Sequence, residues 1–133
     1  MINNYYIMKT VITTKNAPAP IGPYNQAILT GNTLYTSGQI AINPETNTLV
    51  LDDIKTETKQ VMQNLKAVLE AASMTFEHVI KSSIFISNMD DFGLINEVYG
   101  SYFDDANAPA RETVQVARLP KNVNVEISVI AIK

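Results

Sequence analysis

Along residues 54–72 the apolar side chains Ile54, Val61, Met62, Leu65, Val68, Leu69 and Ala72 recur at helical spacing. That pattern predicts an amphipathic helix with one buried stripe. Asp52 or Asp53 can cap its first turn through a carboxylate oxygen. A second helix is predicted after a cap at Asp90 or Asp91. Its inner side would carry Phe92, Ile95, Val98, Tyr99 and Tyr102, and Asn107-Ala108-Pro109 would end it. Elsewhere the chain alternates or is rich in β-branched residues, which predicts strands over 10–14, 26–30, 33–40, 79–86, 111–116 and 123–132. Gly31-Asn32 suits a tight hairpin between the second and third. Residues 16–24 hold three prolines and a glycine, so they form neither helix nor central strand but a shaped loop. Residues 43–47 make another turn, and 117–122 connect the last two strands.

The order strand, hairpin, helix, strand, helix, strand, strand is that of a single α+β domain. The closing strand places Val123, Val125, Ile127, Val129 and Ala131 on one face and Asn124, Glu126, Ser128, Ile130 and Ile132 on the other. Both rows contain apolar residues, so both faces of the sheet are expected to be partly buried. Two helices can cover only one face. A second copy of the chain is the natural cover for the other.

The 133 residues fit one domain with its own core, 46% apolar and 17% charged. The net charge of −3 comes with scattered Lys and Arg, whereas a nucleic-acid binder concentrates basic residues on one face. Nucleic acid is therefore not an expected partner. No apolar run approaches the ~20 residues of a membrane helix, so no membrane partner is expected. Cysteine is absent, which removes disulfides, thiolate nucleophiles and cysteine metal sites and suits a cytoplasmic setting. Residues 1–8 have no leader-like pattern and are read as a flexible extension to a domain over 9–133, with Met8 an alternative start.

Few residues carry obvious chemistry. His78 has no partner at metal-ligand or triad spacing and reads as an edge histidine. Gly38 lies within a predicted strand, which marks either a packing position or a place where a ligand meets backbone. Arg111 opens a strand after a proline-stiffened loop, and its guanidinium can grip a carboxylate with two parallel bonds. From the motif alone a surface salt bridge is the commoner explanation. Alternation puts Thr113 on the face of Arg111 and Glu112 opposite. Glu126 is an acid in an apolar strand. It is either a surface glutamate or, if it faces a pocket, a group able to orient water and shuttle a proton. Tyr24, on the proline loop, could close such a pocket or merely pack.

The segments Asn16-Ala17-Pro18, Ile21-Gly22-Pro23-Tyr24, Thr36-Ser37-Gly38-Gln39-Ile40, Asn43-Pro44, Asn96 with its helix, Pro109-Ala110-Arg111, Val116 to Lys121 and Val125-Glu126-Ile127 together resemble the RidA/YjgF family of enamine/imine deaminases. The resemblance spans nearly all of residues 9–133. It implies a chorismate-mutase-like α+β fold, a mixed sheet with two helices on one face, assembled as a homotrimer with sites between subunits. It implies that Arg111 anchors a substrate carboxylate. Tyr24, Ser37, Gly38, Asn96 and Thr113 would line the site, and Glu126 would lie near the reacting carbon and its water. No cofactor or metal is implied. The implied substrate is a small 2-imino acid such as 2-iminobutanoate or 2-iminopropanoate, formed from enamines released by pyridoxal-phosphate dehydratases. Two positions depart from the family pattern: Glu112 replaces a common Ser, and Thr113 a common Cys. Alternative readings are a non-enzymatic trimer that senses a small carboxylate through Arg111, and RNA cleavage. The acidic balance opposes the second.

Overall fold

The computed structural model describes residues 8–133; the predicted extension, apart from Met8, lies outside the described residues. Eight strands and two α-helices follow one another as β1 (Thr10–Ile12), β2 (Ala27–Thr30), β3 (Thr33–Thr36), β4 (Ile42–Asn43), β5 (Thr48–Leu49), α1 (Ile54–Ala71), β6 (Val79–Ile86), α2 (Phe92–Gly100), β7 (Ala110–Gln115) and β8 (Val125–Ile132). Six strands form one mixed sheet in the order β1-β2-β3-β8-β6-β7, and β4 and β5 pair separately. Among the described strands only β6 and β7 run parallel. A parallel pair needs a crossover, and α2 supplies it, so α2 is carried onto the face of those two strands.

The predicted stripe of α1 is fully buried at Val61, Met62, Leu65, Val68 and Leu69. Each such side chain contributes about 1.5–3 kcal/mol of apolar burial. They meet Val125, Ile127, Val129 and Ala131 of β8 and Ile84 and Ile86 of β6 in the main core. The same helix face also buries Glu57, Thr58 and Asn64, which the apolar pattern did not disclose. Asp53 caps α1, its Oδ1 accepting from Thr56 N at 2.8 Å.

Several predicted boundaries shift. β3 stops at Thr36, and Gln39 then makes one isolated bridge to Ile127. The second helix is not capped by Asp90 or Asp91. Asn88 instead caps a 3-10 turn at Met89–Asp91, accepting from Asp90 N at 2.9 Å, and α2 continues from that turn. It ends at Gly100, ahead of the predicted Asn107-Ala108-Pro109. Phe92, predicted on the inner side, is 36% exposed.

Both helices lie on one face of the sheet. On the other, a small cluster of Ile40, Ile42, Leu119 and Val123, with Phe85 and Val116 against it, covers one end. The rest of that face is open, and Tyr35, Val114 and Ile132 are each at least 41% exposed.

Candidate functional site

The seven candidate residues fall into two groups on opposite faces of the sheet. The first gathers on β7 beneath α2. Arg111 pairs in register with the buried Ser82 and so faces the helices. Its Nη1 donates to Asn96 Oδ1 at 2.7 Å. Its Cζ lies 5.0 Å from the ring centre of Tyr99 and 5.6 Å from that of Phe92. Aromatic faces attract a guanidinium through their quadrupole, so these rings hold the cation without neutralising it. Tyr99 is itself fixed, its hydroxyl donating to Ser82 Oγ at 2.9 Å, and burial raises its phenol above the usual range. Phe92 and Tyr99 were legible only as apolar helix positions; their role beneath Arg111 comes from the crossover.

Thr113 follows on the same face, and its Oγ1 is buried without a hydrogen-bond partner among the described residues. Glu112 points the other way. Its Oε2 accepts from Ser83 Oγ at 2.8 Å and its Oε1 lies 3.0 Å from Lys81 Nζ, and these two contacts hold its carboxyl below the usual range. It does not compete for Arg111. Among the described residues no carboxylate pairs with that guanidinium, so the surface salt bridge suggested by the motif is not formed.

The second group lies across the sheet. Tyr24, Ser37, Gly38 and Glu126, with Ile21, Ile40 and Pro120, line a shallow pocket of about 340 Å³. The proline loop is held by Gln26, which is 3% exposed: its amide donates to the carbonyls of Thr14, Ala17 and Pro18 and accepts from Thr14 N. That side chain escaped the sequence reading, which placed it at the start of a strand. Tyr24 presents a half-exposed ring, its hydroxyl accepting from Ile21 N at 3.2 Å. Ser37 is tied back, its hydroxyl donating to the Asn25 carbonyl. Gly38 is small because of Glu126: a Cβ there would fall inside the glutamate's carboxyl group. Partial burial, with no compensating contact, raises the Glu126 carboxyl above the usual range.

Glu126 is on β8 and Arg111 on β7, with β6 between them. Two strand spacings are roughly 10 Å. Because Glu126 alternates with the buried Val125 and Ile127 while Arg111 bonds to α2, the two also project from opposite faces. Within one chain they cannot touch one small substrate. A crevice of about 700 Å³ beside Phe76, Tyr102 and Phe103 is lined by none of the seven. His78 is taken up in a cap, its Nδ1 accepting from Thr75 N at 2.9 Å. Among the described residues no group of three metal-ligating side chains occurs.

The family model described as Endoribonuclease L-PSP matches residues 14–133, nine-tenths of the chain. The chain belongs to the YjgF/RidA family. A RutC family protein of Pyrococcus horikoshii is 52% identical over 126 residues, covering 95% of this chain and 99% of that protein. The 2-iminobutanoate/2-iminopropanoate deaminase of Escherichia coli is 43% identical, covering 95% of this chain and 99% of its own. Among solved structures, a Rid family protein from Yersinia pestis superposes with a TM-score of 0.92 at 49% identity, covering 95% and 100% of the two chains. Escherichia coli TdcF with bound serine gives 0.88 at 41%, covering 93% and 98%. The mixed sheet with two helices is the fold of this family.

Proposed function

We propose that this YjgF/RidA member hydrolyses 2-imino acids, such as 2-iminobutanoate and 2-iminopropanoate, to 2-keto acids and ammonia. The observation that carries the reading is Arg111: a guanidinium braced by Asn96 and two aromatic rings, with no carboxylate of its own among the described residues. A braced, unneutralised guanidinium suits a substrate carboxylate. Relatives named as 2-iminobutanoate/2-iminopropanoate deaminases, 43–48% identical, support this substrate class.

The two faces each hold half of what the reaction needs, so the working site is composite, with Arg111, Asn96 and Thr113 from one subunit facing Tyr24, Ser37, Gly38 and Glu126 of another. A closed ring of three gives each site one half from each neighbour. The carboxylate docks on Arg111. Water adds to the C=N carbon while Glu126 takes its proton and returns one to nitrogen. The carbinolamine then collapses: Glu126 relays its hydroxyl proton to the nitrogen as the C–N bond breaks, giving keto acid and ammonia. Burial raises the Glu126 carboxyl, which favours such two-way proton traffic. Tyr24 closes the pocket over the reacting carbon.

A threonine dehydratase coupled to this protein, with semicarbazide trapping free imine, tests the reading. Wild type is expected to speed the appearance of 2-oxobutanoate. Keto acid appearing no faster with folded wild type, for this imine and for those from other amino acids, would overturn it in favour of a carboxylate-sensing trimer.

A further inference from the structure

Glu57 sits in the first turn of α1 and is 1% exposed, yet nothing in the reaction above uses it. A carboxyl group so deeply buried is costly unless its oxygens are occupied. Here they are. Oε2 accepts from Asn124 N at 2.8 Å and Val125 N at 3.2 Å, and Oε1 accepts from Asn124 Nδ2 at 2.7 Å. All three donors belong to the two residues preceding Glu126.

The reason the Val125 amide is free lies in the sheet. Ile127 N donates to Gln39 O across the β3 side of β8. Amide directions alternate along a strand, so Val125 N points to that same side, two residues earlier. No strand continues there, because β3 ended at Thr36 and only the Gln39 bridge extends it. Glu57 takes the vacant acceptor position. On the β6 side, Ser87 N donates to Asn124 O at 3.0 Å and Ser87 Oγ to Asn124 Oδ1 at 3.2 Å. Immediately upstream, Lys121 and Asn122 both hold positive φ, 54° and 56°, in the turn that brings Pro120 to the pocket. Residues without glycine's freedom keep that conformation only when their surroundings impose it.

We infer that Glu57 is a positioning residue: by accepting the orphan amides at the start of β8 it fixes the backbone that aims Glu126, and the turn that presents Pro120, into the pocket. The inference rests on the reading of Glu126 as the proton-transferring group. It concerns hydrogen-bond acceptance rather than charge. A glutamine at 57 can still accept both backbone amides through its carbonyl, with the Asn124 amide turned over to accept from its NH₂.

The test compares wild type, Glu57→Met and Glu57→Gln by imine-hydrolysis kinetics and by NMR titration of the Glu126 carboxyl carbon. Glu57→Met is expected to lower kcat by about tenfold or more, since small misplacements of a reacting group are costly. KM should stay near wild type, because Arg111 is held by α2. The Glu126 titration should move toward the ordinary carboxyl range. Glu57→Gln should restore both readouts. If Glu57→Met does not fold, Glu57→Asp, which withdraws the acceptor by one methylene, is expected to shift both the same way. Unchanged kcat and unchanged Glu126 titration would overturn the inference, as would a fall in kcat that leaves the titration of Glu126 at its wild-type position. Wild type without turnover, alongside a shifted Glu126 titration in Glu57→Met, would sink the deaminase reading and leave the positioning role standing.

Discussion

At the scale of single residues, the proposed function divides the work between Arg111 and Glu126. Arg111→Ala removes the carboxylate anchor, and charge-assisted bonds are worth about 1.5–3 kcal/mol each, so kcat/KM should fall at least about tenfold. Arg111→Lys is expected to recover little, because an ammonium lacks the planar fork that Asn96 and the two rings hold. Steady-state kinetics of the three proteins checks both statements. For Glu126, burial raises the carboxyl, so the fold disfavours the ionised form. Below about pH 4 the group is protonated whether the chain is folded or not, and burial costs nothing. As pH rises from the ordinary carboxyl range through the raised folded value, the unfolded chain gives up its proton first and stability falls. Glu126→Gln should therefore melt higher than wild type at neutral pH and show no gain in acid, while losing about a hundredfold in kcat. Equal melting temperatures at both pH values would contradict the burial argument. Gly38→Ala should damage wild type, by pushing Glu126 aside, far more than it damages a Glu126→Ala background; a double-mutant cycle reads the difference.

The residue types proposed for these roles were legible in the sequence, but their grouping was not. Alternation put Thr113 beside Arg111 and Glu112 away from it, because a strand has only two sides. That Arg111 and Glu126 face opposite ways depends on which strands neighbour which, and no local pattern states that. Gly38 was open between packing and ligand approach until Glu126 was seen against it.

At the scale of elements, periodicity gave the helices and most strands because burial is what periodicity records. It failed where a polar group does a buried job. Glu57, Asn64 and Gln26 lie inside and answer backbone amides and carbonyls that have lost their strand or helix partners; Asn64 Nδ2, for example, donates to the carbonyls of Ile40 and Ile42 at 3.0 and 2.9 Å. The Asp90 or Asp91 cap failed for a related reason, since a 3-10 turn capped by Asn88 intervenes. Asp53, the cap that was met, gives a direct check: Asp53→Ala should cost about 1 kcal/mol in chemical denaturation with catalysis unchanged. The crossover element α2 is the link between fold and chemistry. Tyr99→Phe keeps the ring under Arg111 and loses only the bond to Ser82, so stability should drop by about 1 kcal/mol with substrate affinity intact, whereas Tyr99→Leu should weaken affinity as well.

At the scale of the whole molecule, the open sheet face and the divided site point to the same arrangement. Helices cover one face, while the other exposes Tyr35, Val114 and Ile132. Covering that face with a neighbour would bury these side chains and bring a second chain to each half-site. Within the described residues no helix is long and apolar enough to cross a membrane. On the proposed function, imine hydrolysis needs Arg111 of one subunit and Glu126 of another. The measurement that reaches it most directly mixes Arg111→Ala and Glu126→Gln proteins, each nearly inactive alone, under conditions of verified subunit exchange, and follows keto-acid formation from 2-iminobutanoate. Random assembly leaves roughly a quarter of the interfaces with both native residues, so the mixture should recover about a quarter of the wild-type rate. A mixture that stays as inactive as its parents, although wild type is active, would contradict the composite site.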